Sequence, residues 1–341
     1  MNNVLYSLGG LSEPHPRNRC ACTAMSDSFI GWRWCLGLLY ARRACPSGSD
    51  AQGPTTVPAL RPDFWHKHWS DHRSPFVLSY KVKDIHDLYR KHVPTVMKHK
   101  SANGRTKALD KLVVEVFGDK DFTDVKTGIG IVATYWDLQK PMIFKTSVAQ
   151  AHGREATFLP GFGCKVGEAV RASCSAYPYF QRLVLKTGQG TTVELFDGGY
   201  CANNPTLYAI ADPVMAYKKD YGDLRVLSVG VGMYPEPKHW VTPEYMVGWI
   251  AKALIGFTGL QLLQKTLDVN TNSMEQLRAV LFKEIQAVRI NDIFKQPEMA
   301  TDLLEADLKK LDMLYLRGWE SFAAHEPALK KLLIEQQERV E

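Results

Sequence analysis

The sequence predicts a three-layer α/β fold with a mainly helical C-terminal lobe. Short uninterrupted apolar runs, among them Gly128–Tyr135 and Arg225–Gly232, read as strands buried on both faces. Runs with apolar residues at helical spacing alternate with them. The stretch 193–214, VELFDGGYCANNPTLYAIADPV, joins a strand to a helix across an Asp-Gly-Gly turn.

The chain has 341 residues, 45% hydrophobic and 23% charged, which is ordinary for a globular protein with a sizeable core. A net charge of +6 with mixed signs is too mild for a nucleic acid polymer as partner, but leaves room for a basic patch near anionic lipid. No signal peptide is expected, since no basic region followed by an apolar stretch opens the chain. No uncharged run reaches membrane-spanning length. Seven cysteines, odd in number and unevenly placed, make no disulfide framework, so a cytoplasmic location is expected.

Residues 1–75 differ from the remainder. They hold seven Arg and one Lys, against ten Arg and twenty-four Lys in 76–341. They also hold four of the seven cysteines and four of the eight tryptophans, unlike a disordered tail. The codons of Trp65-His66-Lys67-His68-Trp69 permit a shifted reading. One base downstream they spell Gly-(Thr/Ile)-(Ser/Asn)-(Thr/Ile)-Gly, of which Gly-Thr-Ser-Ile-Gly is one solution. That is a G-x-S-x-G nucleophile elbow, a serine on a strained strand-to-helix turn. Most of 1–75 is therefore read as translated out of frame, with the frame returning near Ser74–Tyr80. A rival reading takes His66, His68, Asp71 and His72 as a zinc cluster, although one residue too many separates His68 from Asp71.

From residue 76 the elements follow in order. Tyr80–Met97 is a helix with Val82, Ile85, Leu88 and Tyr89 as its apolar stripe and His86 and His92 in solvent. Lys98–Lys111 reads as a basic, solvated loop and Leu112–Phe117 as a buried strand. Gly128–Tyr135 is a strand, Trp136–Pro141 a turn and Met142–Lys145 the returning strand. Val166–Phe180 opens as a short helix; Ser173 and Ser175 within it lack flanking glycines and read as packing and turn residues. Leu183–Leu185 and Thr191–Phe196 are strands on either side of a glycine-rich turn. Arg225–Gly232 is a further strand, its glycines a strand-end turn. Thr242-Pro243 starts a helix that is apolar nearly all round from Tyr245 to Leu267. Such a helix is usually buried; a membrane-facing or dimer-facing surface is the sharper reading, with a homo-oligomer as its assembly. Thr301-Asp302 starts a last helix with Leu303, Leu304, Leu308, Leu311, Leu314, Trp319 and Phe322 on one face.

The chemistry centres on Asp197. It stands at a strand end, and Gly198-Gly199 supply a turn expected to suit only glycine. A bare Asp-Gly-Gly is more often a turn cap than a catalytic group, so its neighbours decide.

Those neighbours give residues 76–341 a resemblance to the patatin-like phospholipases, carried by ATYWDLQKPMIFKT, AVRASCSAYPYF, DGGYCANNP and LSVGVG in that order. INDIFKQPEMATDLLEADLKKL is similar to bacterial effectors of this family that cyclic nucleotides switch on in phage defence. The resemblance implies a patatin-like α/β/α sheet, a membrane phospholipid as substrate at the inner membrane face, and a cyclic nucleotide as activator. No cofactor and no metal are implied. It also implies a serine–aspartate dyad in which the elbow serine attacks the ester and Asp197 takes its proton. A glycine-rich G-G-G-x-R-G loop would hold the oxyanion. Asp197, Gly198 and Gly199 carry over; the nucleophile and the oxyanion loop do not, and Leu8-Gly9-Gly10 is at most a trace of the loop. The expected division is an aberrant segment 1–75 where both missing motifs belong, a remaining catalytic domain 76–214, and a strand plus helical lobe 215–341. The chain is read as a lipid acyl hydrolase impaired by loss of its nucleophile. The alternative is a non-catalytic protein that binds lipid or a partner through 245–267.

Overall fold

The computed structural model describes residues 4–9, 20–25, 82–125, 128–233, 257–296, 299 and 305–334. Eight strands form one mixed sheet: β1 (Val4–Gly9), β2 (Cys20–Met25), β3 (Gly128–Tyr135), β4 (Lys140–Lys145), β5 (Leu183–Lys186), β6 (Thr192–Asp197), β7 (Leu224–Val229) and β8 (Gln286–Ile290). The order is β5-β6-β3-β1-β2-β7-β8, with β4 also paired to β3. The β2–β7 and β7–β8 pairs are parallel and the others antiparallel. β3 meets β4 over Gly130–Tyr135, β1 over Gly128–Val132 and β6 over Ala133–Tyr135. A strand has two edges, so β1 and β6 follow one another along the edge opposite β4.

β3 explains its own sequence. Ile129, Ile131 and Ala133 point into one core together with α1 (Val82–Met97), α2 (Ala102–Phe117) and α3 (Val166–Ser173). Val132 points the other way, against Ala202 of the short α4 (Gly199–Ala202). Buried on both faces, the strand has no alternation to show. On this second side α5 (Thr206–Ala211) packs its Ala209 and Ile210 on Leu224 and Val226 of β7. The long α6 (Phe257–Leu281) contacts α4 and α5, and α7 (Leu308–Ile334) lies against β8 and α1. The fold is α/β with helices on both faces and a helical C-terminal part.

Several expectations are corrected. Lys98–Lys111 is no loop and Leu112–Phe117 no strand: α2 runs through both, started by Ser101, whose hydroxyl accepts the Gly104 N–H at 3.1 Å. Its buried face includes Arg105, Leu109, Leu112, Val113, Val116 and Phe117. Arg105 can sit there because it donates to the carbonyls of Tyr179 and His99, at 3.0 and 2.8 Å. His92 is buried rather than solvated, with Nε2 3.5 Å from Glu115 Oε1, and burial lowers its pKa. His86 is half-buried beside the Tyr315 ring. Leu311 and Leu314 of α7 are buried as expected, but Leu308 and Trp319 are exposed. β8 lies where only helix was expected. The helix start at Thr242 and the side chains of Tyr245–Gln264 lie outside the described residues, as do Gly10, the His66–His72 cluster and Thr301–Leu304.

Candidate active site

Asp197 ends β6 opposite Ala133 of β3 and is fully buried. Its backbone N–H donates to the Ser175 carbonyl at 3.1 Å, and its own carbonyl accepts the Thr134 hydroxyl at 2.7 Å. The turn after it is tight for a reason other than the one expected. Gly198 has φ −66°, which any residue adopts, but a Cβ there would lie 2.1 Å from the Val132 carbonyl oxygen. Glycine is required by close approach to β3, not by a left-handed backbone. Gly199 then opens α4, and its N–H donates to Asp197 Oδ1 at 2.7 Å.

The other carboxylate oxygen, Asp197 Oδ2, is buried and has no hydrogen-bond partner among the described residues. Burial pushes the carboxyl up to about 7, against the lowering effect of the Gly199 N–H. A carboxylate near neutrality with one oxygen free is suited to accept a proton from a hydroxyl brought beside it.

Asp212 is the instructive contrast. It too is fully buried, yet both its oxygens are occupied. Oδ1 meets Lys145 Nζ and His152 Nε2, each at 2.6 Å, and Oδ2 accepts from Gln150 Nε2 at 2.7 Å. This carboxylate ties β4 to the helical turn after α5 and has no oxygen to spare. Sequence reasoning missed the cluster, because Asp212 stands 60 to 67 residues after His152, Gln150 and Lys145.

Among the described residues no hydroxyl or thiol bonds to Asp197 Oδ2. The Ser173 hydroxyl lies near the turn, 3.4 Å from the site of a Gly198 Cβ, without a bond to Asp197. Ser175 Oγ donates to the Arg171 carbonyl at 2.6 Å and accepts from the Arg171 guanidinium. Cys201 Sγ lies 3.1 Å from Thr134 Oγ1, and burial pushes its thiol up to about 11, leaving it protonated and unreactive at neutral pH. Tyr200 donates its hydroxyl to the Tyr177 carbonyl at 2.7 Å.

Beyond the turn, Asn203 and Asn204 fasten it to α6. Asn203 Nδ2 donates to the Leu267 carbonyl at 3.1 Å and to the Thr271 hydroxyl. Asn204 Oδ1 accepts the Thr206 N–H at 3.2 Å, while its Nδ2 reaches Glu275 Oε2 at 3.2 Å. Glu275 is held in turn by Arg278 Nε at 2.6 Å. The asparagines were visible in the sequence only as neighbours of the Asp-Gly-Gly turn; their roles depend on partners in a distant helix. Among the described residues no group of three His, Cys, Asp or Glu side chains could hold a metal ion, and no described helix is long and apolar enough to cross a membrane.

Comparison with known proteins places these features in context. A family model described as patatin-like phospholipase matches residues 53–210, a span that takes in Asp197, Gly198 and Gly199 and begins inside the segment set apart above. A protein of Escherichia coli named cUMP-AMP-activated phospholipase is 57% identical over 257 residues, covering 75% of this chain and 78% of that protein.

Proposed function

Because the chain belongs to the patatin-like phospholipase family, we propose that Asp197 is the proton acceptor of a lipid acyl hydrolase whose nucleophile this chain lacks. The observation that carries the reading is the buried, unpartnered Oδ2 of Asp197 beside a fully satisfied Asp212. An unpartnered carboxylate oxygen in the core costs stability, and this one stands at the Asp-Gly-Gly turn within the span that the family model matches. In the intact reaction a serine hydroxyl beside Oδ2 attacks the ester carbonyl as its proton passes to Asp197. The proton then leaves with the alcohol, and water releases the acyl group by the same relay. Gly198 lets the turn close on β3, and the Gly199 N–H fixes the other carboxylate oxygen, so the base is oriented before any substrate arrives.

The nucleophile and oxyanion donors belong in 1–75, the division at 75 and 214 following the motifs. Each absent donor removes roughly 2–4 kcal/mol of transition-state stabilisation. Loss of the nucleophile itself removes most of the catalysis. The substrate is a membrane phospholipid met at the inner membrane face. The activator is a cyclic dinucleotide, and the role is phage defence; the relative's name supports the activator.

Ester hydrolysis by the purified chain, with and without a cyclic dinucleotide, tests the reading. No turnover above background is expected from the chain as it stands. Turnover that Asp197→Ala abolishes would overturn the loss of function and require an unrecognised serine. Vesicle binding without hydrolysis is the outcome that separates a lipid-binding pseudo-hydrolase from a protein with no lipid contact.

A further inference from the structure

One sheet face beside the Asp197 turn carries an unusual set of side chains. Opposed residues on paired strands point to the same side, and so do every second residues along a strand. The pairs Val184↔Glu194 and Thr134↔Phe196 therefore put Val184, Glu194, Phe196 and Thr134 on one face. Trp136, whose N–H donates to the Glu194 carbonyl at 2.9 Å, continues that face past the end of β3.

The aromatic rings there form a connected series leading out from the turn. Tyr200 packs on Phe196 with ring centres 4.5 Å apart, and Phe196 on Trp136 at 5.1 Å. Trp136 reaches Tyr177 at 6.0 Å. Arg182 lies over both outer rings, its Cζ 4.1 Å from the centre of Trp136 and 5.5 Å from that of Tyr177. The inner end is closed: Phe196 is 7% exposed. The outer end is open: Trp136 is 39%, Tyr177 42%, Leu138 54% and Val184 63% exposed.

We propose that this face, centred on Trp136, Tyr177 and Arg182, rests on a phospholipid bilayer and sets the Asp197 turn at its surface. The inference rests on the reading of the chain as a lipid acyl hydrolase. It adds which surface meets the lipid. Tryptophan and tyrosine favour the boundary between headgroups and acyl chains, where an apolar ring body and a polar tip are both satisfied. A guanidinium stacked on them reaches phosphate oxygens while its stem lies on apolar surface. Arg182 is paired with Glu194 at 3.1 Å, so its own charge is balanced; exposed Lys186 stands on the Val184 face, while exposed Lys140, opposite Tyr135, stands on the other. The free balance is positive, which suits an anionic surface. Continuity with the turn matters as much, since the rings run unbroken from Tyr200, two residues after Gly198, to the exposed end.

The test is sedimentation of the full-length chain with vesicles of phosphatidylcholine alone and of phosphatidylcholine mixed with phosphatidylglycerol. Leu138→Asp, in an exposed turn, and Trp136→Ala are each expected to lower partitioning about tenfold. Trp136→Phe should restore much of the loss, and circular dichroism should show all three variants folded. Lys186→Glu should lower the preference for anionic vesicles, and Lys140→Glu, on the other face, should leave it unchanged. If the unaltered chain binds vesicles and both Leu138→Asp and Trp136→Ala bind as well, this surface is wrong while the lipid reading stands. If the unaltered chain binds neither vesicle, both fall.

Discussion

Gly198 lies so close to β3 that a Cβ on it would meet the Val132 carbonyl oxygen at 2.1 Å. The obstacle is backbone rather than the end of a flexible side chain, so relief requires moving β3 or the turn. Gly198→Ala is expected to lower stability by about 1–3 kcal/mol, the usual range for overpacking. Gly222→Ala is the control: nothing lies within 4 Å of a Cβ there, and a change within about 0.5 kcal/mol is expected. Denaturant midpoints of the two variants provide the comparison.

The Asp197 carboxyl should leave a mark on the pH dependence of stability. Burial raises it from 3.8 to about 7, so the folded protein holds the proton more tightly than the unfolded chain. Its contribution is fully present below about 3.8 and lost as pH rises through about 7. Asp197→Asn removes that titration. The variant should gain on the unaltered chain as pH rises across the window, by up to about 1.4 kcal/mol per pH unit crossed, and then level off. Urea unfolding at several pH values reads the slope directly; parallel curves would refute a raised carboxyl.

Asp212 should behave in the opposite manner. Asp212→Ala leaves Lys145, whose side chain is 11% exposed, without its carboxylate. Stranding a buried charge costs roughly 3–5 kcal/mol. Removing Asp119, an exposed partner of Lys165, should change little. Equal effects of the two substitutions in thermal unfolding would show that the Lys145–Asp212 pair is not the tie described above.

Nucleotide sequence across residues 1–80 decides whether a nucleophile serine is encoded one frame away. An open shifted frame with G-x-S-x-G should be present, and restoring it should yield ester hydrolysis that Asp197→Ala lowers by at least about a hundredfold. A shifted frame broken by stop codons would end that account.

What could be read from the sequence was whatever short-range pattern controls. β3 was legible because an apolar run of eight residues, Gly128–Tyr135, has few alternatives to a buried strand. The Asp197 turn was legible because strand end, glycines and helix start are contiguous. α2 was not. Its stripe, Leu109, Leu112, Val113, Val116 and Phe117, has helical spacing, but Arg105 occupies the buried position that opens it and Val-Val-Glu-Val favours a strand. β8 offered no signal, since all five of its residues are half-buried and none alternates. Lys145 with Asp212, and Asn204 with Glu275, were illegible for a simpler reason: only the folded chain brings them together.

The position of β1 and β2 has a consequence for handling the protein. These two strands separate β3 from β7 and are what joins the Asp197 half of the sheet to β7 and β8. They come from a part of the chain outside the residues 53–210 that the family model matches. Deleting residues 1–25 would leave Gly128–Val132 and Leu224–Val229 with free hydrogen-bonding edges. Exposed edges of that kind recruit one another between molecules. A shortened chain should therefore precipitate before it unfolds, because the strands that cover those two edges would be gone.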